Sequence, residues 1–177
     1  NDTTVSAADL NSINGSTNGK VTTTATSIAG LAADVKTLLV ADAAGGNQLA
    51  GVTAAPITIT DSGTVDASVI KDIVDNAATG LVTVSSNATA LSGTSGILSA
   101  VIGFDIAQNP TLAGTDGLEI IVSNDIGADT QATLAGNTTG KITATITTQT
   151  NDAAGNGAVN LSDLVGTGHK LTVTIND

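Results

Sequence analysis

Sixteen Asp and Glu side chains, a single His and no Cys are what this 177-residue chain offers for chemistry. The acids come first. Asp152, Asn156, Asn160 and Asp163 place four side-chain oxygen donors in the stretch DAAGNGAVNLSD, with Gly157 able to make a sharp turn. Carboxylate and amide oxygens gathered around a turn are the ligands a hard cation such as calcium takes. An Asn/Gly turn without any metal would use the same residues. Both readings stand at this point.

Other chemistries are poorly supplied. His169 stands beside Lys170 at the start of a strand-like run, and its expected place is the surface. One His without Cys cannot build a zinc site, and no Ser/His/Asp arrangement surrounds it. No phosphate-binding or dinucleotide fingerprint occurs. A sugar-cleaving cleft normally needs aromatic platforms, and Phe104 is the only aromatic residue. The chain reads as non-catalytic.

Five Lys, no Arg and sixteen acids give a net charge of −11. Phosphate backbones and anionic membrane surfaces would repel such a chain, so no nucleic-acid partner is expected. No apolar run is long enough to cross a bilayer, so no membrane insertion is expected. Most of the acids read as a solvated surface. Sequons at Asn14, Asn87, Asn137 and Asn160 allow glycosylation without arguing for it. Apolar residues make up 41%, carried by small aliphatics, and there are 20 Gly. Such side chains fill thin regular layers better than a deep irregular core.

Those layers are written as repeats. Thr64 to Thr83, TVDASVIKDIVDNAATGLVT, has an earlier copy at Thr4 to Thr22, TVSAADLNSINGSTNGKVT. A weaker third copy runs from near Ile126 to the TGKIT of Thr139 to Thr143. Ser6 and Asp66 are expected N-caps, with Val69, Ile70, Ile73 and Val74 as the buried stripe behind the second. Leu31 to Val40 has helical spacing at Leu31, Val35, Leu38 and Leu39, and Leu91 to Ile102 reads as a weak helix. A poorer helix is expected at Thr130 to Leu134. Strands are expected at Lys20 to Thr26, Ile57 to Thr60, Leu81 to Ser85, Leu118 to Ser123, Ile142 to Thr148 and Leu171 to Ile175. Ala41 to Ala55 reads as a loop.

Alternating pieces of this length imply parallel strands joined by crossovers. The expected fold class is an α/β repeat, a solenoid-like stack of helix-strand-helix-strand units with parallel strands. A Thr-rich parallel β-helix and a β-sandwich are the alternatives. One domain is expected over 1–177, in three degenerate units at about 3–62, 63–124 and 125–177, as part of a longer protein or assembly.

The pattern TV[S/D]A…TG[K/L]VT, joined to SIAGLAADVKTLL at Ser27 to Leu39, resembles repeats of very large secreted bacterial surface proteins. Those of cyanobacteria are nearest, including motility-associated and haemolysin-like calcium-binding proteins. The resemblance covers most of residues 3–123 and implies an extracellular or cell-surface, non-catalytic, structural or adhesive role. The nonapeptide G-G-x-G-x-D of haemolysin-type toxins is absent. Separately, Asp152 to Asp163 resembles the calcium loop of dockerin and EF-hand modules. That resemblance puts Asp152, Asn156, Asn160 and Asp163 at ligand positions 1, 5, 9 and 12, and Ala158 at the carbonyl position 7. Position 3 is Ala154 and carries no ligand.

The expected function is a structural module of a bacterial surface appendage, surface layer or filament, acting by self-association with like neighbours. The alternative is a calcium-dependent adhesin or ligand-binding module, with calcium as cofactor and surface glycans as ligand. A remote alternative is ice binding through the T-x-T steps Thr22/Thr24/Thr26, Thr58/Thr60, Thr143/Thr145/Thr147 and Thr172/Thr174. Threonine favours strands for its branched side chain alone, which accounts for those steps without a ligand.

Overall fold

A computed structural model of the chain describes residues 2–43, 49–77, 80–106, 112–149 and 168–176. In chain order the first elements are β1 (Thr4–Ser6), α1 (Ala7–Ser16), β2 (Val21–Thr22), β3 (Ser27–Gly30), α2 (Ala32–Ala43) and β4 (Leu49–Ala50). Then come β5 (Ile57–Ile59), β6 (Gly63–Asp66), α3 (Ala67–Asn76), β7 (Val82–Val84), β8 (Ala88–Gly93) and α4 (Ser95–Ile106). The last are β9 (Leu112–Ala113), β10 (Glu119–Val122), α5 (Ala128–Gly136), β11 (Ile142–Gln149) and β12 (Lys170–Asn176).

The architecture is α/β with parallel sheets. One five-stranded sheet runs β1-β3-β5-β7-β9, a second runs β6-β8-β10-β11-β12, and β2 pairs with β4. Every strand pairing among the described residues is parallel, as the alternation of elements implied. Each sheet adds its strands in chain order. The spacing between paired positions runs from 22 residues, Ile120 to Ile142, to 30 residues, Val82 to Leu112. Helices α1 to α5 pack in series, each on the next.

Period-2 alternation puts aliphatic columns on the inner face of each sheet. In the first sheet, Val5, Ile28, Ile57, Val82 and Leu112 lie in register. In the second, Val65, Leu91, Ile120 and Ile142 do the same. The helices close the core with Leu10, Val35, Leu38, Leu39, Ile70, Ile73, Leu98, Val101 and Leu134, all buried. Aliphatic side chains of similar size, stacked at the strand spacing, fill this layer without rings. That is why a chain with one aromatic can bury a core.

The two similar stretches beginning at Thr4 and Thr64 make matching close contacts. A Cβ built on Gly30 would lie 2.8 Å from the Cβ of Ala7, and one on Gly93 would lie 3.3 Å from that of Ala67. Thus the first residue of α1 packs on the end of β3 as the first residue of α3 packs on the end of β8. Helix caps repeat as well. Ser6 and Asp66 cap their own helices, accepting from the backbone N–H of Asp9 and Ser68. By contrast, α2 and α4 are capped by the following turn of chain: Asp61 Oδ2 accepts from Ala32 N at 2.7 Å, and Asn124 Oδ1 accepts from Ser95 N at 2.8 Å. Both caps lie 29 residues ahead of the N–H they accept from. Asp61→Ala should therefore cost about 1 kcal/mol, as loss of an N-cap does. Asp66→Ala should cost a similar amount, both read from chemical denaturation at constant m-value.

The expected elements need several corrections. Leu91 to Gly93 belongs to β8, and the helix there is α4, displaced to Ser95–Ile106. Stacking of Leu91 on Val65 and Ile120 in the core column overrides its helical spacing. Leu31 precedes α2 and is 52% exposed, so it leaves the expected stripe. Val69 is only half-buried, while Ile70, Ile73 and Val74 are buried. The Lys20 to Thr26 strand shrinks to β2, and the Ala41 to Ala55 loop holds the end of α2 and all of β4. The polar starts Thr4–Ser6 and Gly63–Asp66 are strands. The poor helix at Thr130 to Leu134 is the nine-residue α5, whose N-cap Gly127 gives no side-chain bond. Two strands, rather than one, separate α2 from α3, α3 from α4, and α4 from α5 where β4 is set aside.

Candidate functional site

Two acids in the last turns of helices are spent on backbone. Asp42, near the end of α2, accepts from Thr53 N at 3.3 Å. Asp105, its counterpart near the end of α4, accepts through Oδ2 from Thr115 N at 2.8 Å, Thr115 Oγ1 at 2.6 Å and Asp116 N at 3.0 Å. Each carboxylate clamps the chain that leaves its helix. On the outer side of the helices, Asp72 pairs with Lys36 at 2.6 Å and Asp75 pairs with Lys71, as expected of the wet side of a helix. Pairs this exposed contribute at most about 1 kcal/mol.

The expected calcium loop, Asp152, Asn156, Asn160 and Asp163, lies outside the described residues. Among the described residues no three His, Asp or Glu side chains converge as a metal site would need. No helix among them is long and apolar enough to cross a membrane. Of the T-x-T steps, only those of β11 and β12 meet on neighbouring strands, with Thr145 opposite Thr172 and Thr147 opposite Thr174. Thr24, Thr26 and Thr60 lie off the strands.

Polar side chains of different kinds do converge on the outer face of β10, β11 and β12. Thr143 Oγ1 donates to Glu119 Oε1 at 2.6 Å, and Lys141 Nζ stands 3.7 Å from the same oxygen. The Thr143 hydroxyl, and secondarily the charges of Lys141 and Lys170, hold the Glu119 carboxyl below its ordinary value. One loop away, Thr139 donates to Asp116 Oδ1 from its backbone N and from its hydroxyl, each at 3.0 Å. Those two bonds, the backbone one first, hold Asp116 low as well. A carboxylate with a depressed folded-state pKa adds stability above the ordinary carboxylate range and loses it as pH falls through the folded value. Thermal stability should thus decline on acidification below about pH 4, and Thr139→Val should make that decline shallower.

His169 is not a surface residue as expected. It is half-buried, its Nδ1 accepts from Ile142 N at 3.0 Å, and its Nε2 is enclosed with no partner among the described residues. It holds the start of β12 against β11, which leaves Lys170 exposed one residue on.

The remaining feature is edges. Among the described residues, β1 and β9 pair on one side only, and so do β6 and β12. Beside β1 lies an open groove of about 520 Å³ whose described lining is β1, α1 and Asp2, with Val5, Leu10 and Ile13 as its apolar part. Ile13 is 51% exposed, and Asp2 and Asp9 lie on the same groove. A strand edge that is not paired presents a row of N–H and C=O groups with which another strand can pair. The sequence pattern did not mark β1, β3 and β6 as strands; the alternation of Thr64, Val65 and Asp66 was the available signal for β6. Compared with protein-family profiles, with curated proteins and with solved structures, the chain matches none of them.

Proposed function

We propose that the chain is a non-catalytic structural module of an extracellular appendage, surface layer or filament, acting by self-association. The observation that carries this reading is that, among the described residues, the end strands of the two parallel sheets, β1, β9, β6 and β12, pair on one side only. Parallel sheets are normally covered, and an open edge offers a row of N–H and C=O groups to a like partner. The finer reading of the fold is a solenoid-like stack, in which each turn of chain buries its apolar side only against its neighbours. The Gly30/Ala7 and Gly93/Ala67 contacts and the cross-turn caps of α2 and α4 support it. The resemblance of TV[S/D]A…TG[K/L]VT to bacterial surface repeats supports the extracellular setting.

Sedimentation velocity over a concentration series tests the reading. Concentration-dependent growth of the sedimentation coefficient is the expected result; a single monomeric species throughout would defeat it.

A second reading, a calcium-dependent adhesin, rests on the spacing of Asp152, Asn156, Asn160 and Asp163. Titration calorimetry with calcium on the wild type and on Asp152→Ala separates the two. Heat that disappears in the variant supports the adhesin; no heat in either removes it.

A further inference from the structure

The two similar stretches allow α1 to be compared with α3. In them Leu10, Ser12 and Ile13 stand where Ile70, Asp72 and Ile73 do. Leu10 and Ile70 are both buried, but Ile13 is 51% exposed where Ile73 is fully buried. The ion pair of Lys36 with Asp72, at 2.6 Å, shows that this side of α3 faces α2, the helix before it. On α1 the same side lines the open groove, which Asp9, Leu10, Ser12 and Ile13 border opposite β1. Asn11 points the other way, its Nδ2 donating to the backbone oxygen of Asp34 on α2 at 2.9 Å. A face that α3 covers is therefore left bare on α1.

We propose that this groove is a docking site for an extended segment of another polypeptide, aliphatic on one face and basic on the other, which adds to β1 as a further strand. The backbone of β1 is set for it. Ser27 N donates to Thr3 O at 3.0 Å, so alternation turns the N–H and C=O of Thr4 away from β3. β1 itself joins β3 in register, and an added strand repeats that step. Side chains on the inner face of the added strand extend the row that runs from Ile28 to Val5, and cover Leu10 and Ile13.

Charge selects the occupant. Asp2 and Asp9 border the groove, and neither forms an ion pair among the described residues. Lys36 on Asp72 shows the same fold answering an acid on this face of a helix with a cation from the neighbouring element. A second α1 end would instead bring both pairs of acids together, in a chain whose net charge is already −11. The site needs no self-association and is tested apart from that reading.

A fluorescein-labelled peptide, Lys-Val-Lys-Val-Lys-Val-Lys, tests the site on the full chain by fluorescence anisotropy. Saturable binding is expected. It should weaken about tenfold for Ile13→Ser, and by a similar factor for the double variant Asp2→Asn, Asp9→Asn. Asp9 meets the Ser6 cap through its backbone N, so Asn keeps the cap, and circular dichroism with melting curves confirms each fold. Asp129→Asn, at an exposed acid on α5, should leave binding unchanged. Peptides with Glu in place of Lys, or with Pro at the centre, should not bind. No binding, or equal binding by the wild type, Ile13→Ser and the double variant, would overturn the proposal. Loss of wild-type self-association in Ile13→Ser with no peptide bound would overturn it too, making the groove a contact between copies. A monomeric wild type that binds the peptide upholds the site and defeats only the self-association reading.

Discussion

Replacing Gly140 by alanine is expected to lower stability by about 3 kcal/mol, the upper end of what overpacking a tight site costs. The reason is backbone. A Cβ at Gly140 would lie 1.8 Å from the carbonyl oxygen of Leu118 and 2.7 Å from its carbonyl carbon. Neither atom can turn away as a side chain would. Leu118 leads into β10 and Gly140 into β11, and the two strands are locked by the bond from Ile120 N to Lys141 O at 2.7 Å. Room for the methyl group can be made only by opening that pairing. For a chain of this size the loss should lower the melting temperature by roughly 10 °C. Gly96 is the control. It lies in α4 with no atom within 4 Å of an added Cβ, so Gly96→Ala should stabilise by about 0.5 to 1 kcal/mol. If Gly140→Ala melted with the wild type, the close approach of β10 and β11 would be wrong.

Ile120→Ala is the second large effect, with an expected loss of about 3 to 4 kcal/mol. Ile120 is fully buried, between Leu91 on β8 and Ile142 on β11. Truncation removes apolar contact on both sides and leaves a cavity that strands fixed by their ladder cannot close. The neighbouring residue makes the comparison. Ile121 faces the other side of the sheet and is half-buried, so Ile121→Ala should cost about 1 kcal/mol or less. Equal losses at both positions would mean that the inner and outer faces are misassigned. Denaturant unfolding of the two variants reads this directly.

Much of the fold could be read in the residues where a local rule had no rival. Asp66 and Ser6 precede apolar helical runs and do cap them, because a side-chain oxygen at that position satisfies an otherwise unpaired N–H whatever packs nearby. The strands at Ile57, Leu118, Ile142 and Leu171 carry branched residues at alternate positions, and each is a strand within a residue or two. The failures share a cause. Leu91 to Ile102 has apolar residues at spacings that suit a helix, yet its first three belong to a strand because neighbouring turns offer columns for them. Such columns join residues 22 to 30 positions apart and leave no signature within one segment.

The candidate site was legible only in outline. Asp42, Asp61 and Asp105 look like any exposed acids in the sequence, but each accepts backbone N–H groups from chain 10 to 29 residues away. His169 looked like a lone surface residue, and only the pairing of β12 with β11 brings its ring to Ile142 N. No composition or period carries the information of which strand belongs to which sheet.

Electron microscopy of the purified chain with diffraction from its assemblies tests the central claim most directly. Fibres or short rods with a meridional reflection near about 4.8 Å are the expected result. Isolated monomers at every concentration, or assemblies lacking the strand reflection along their axis, would contradict it.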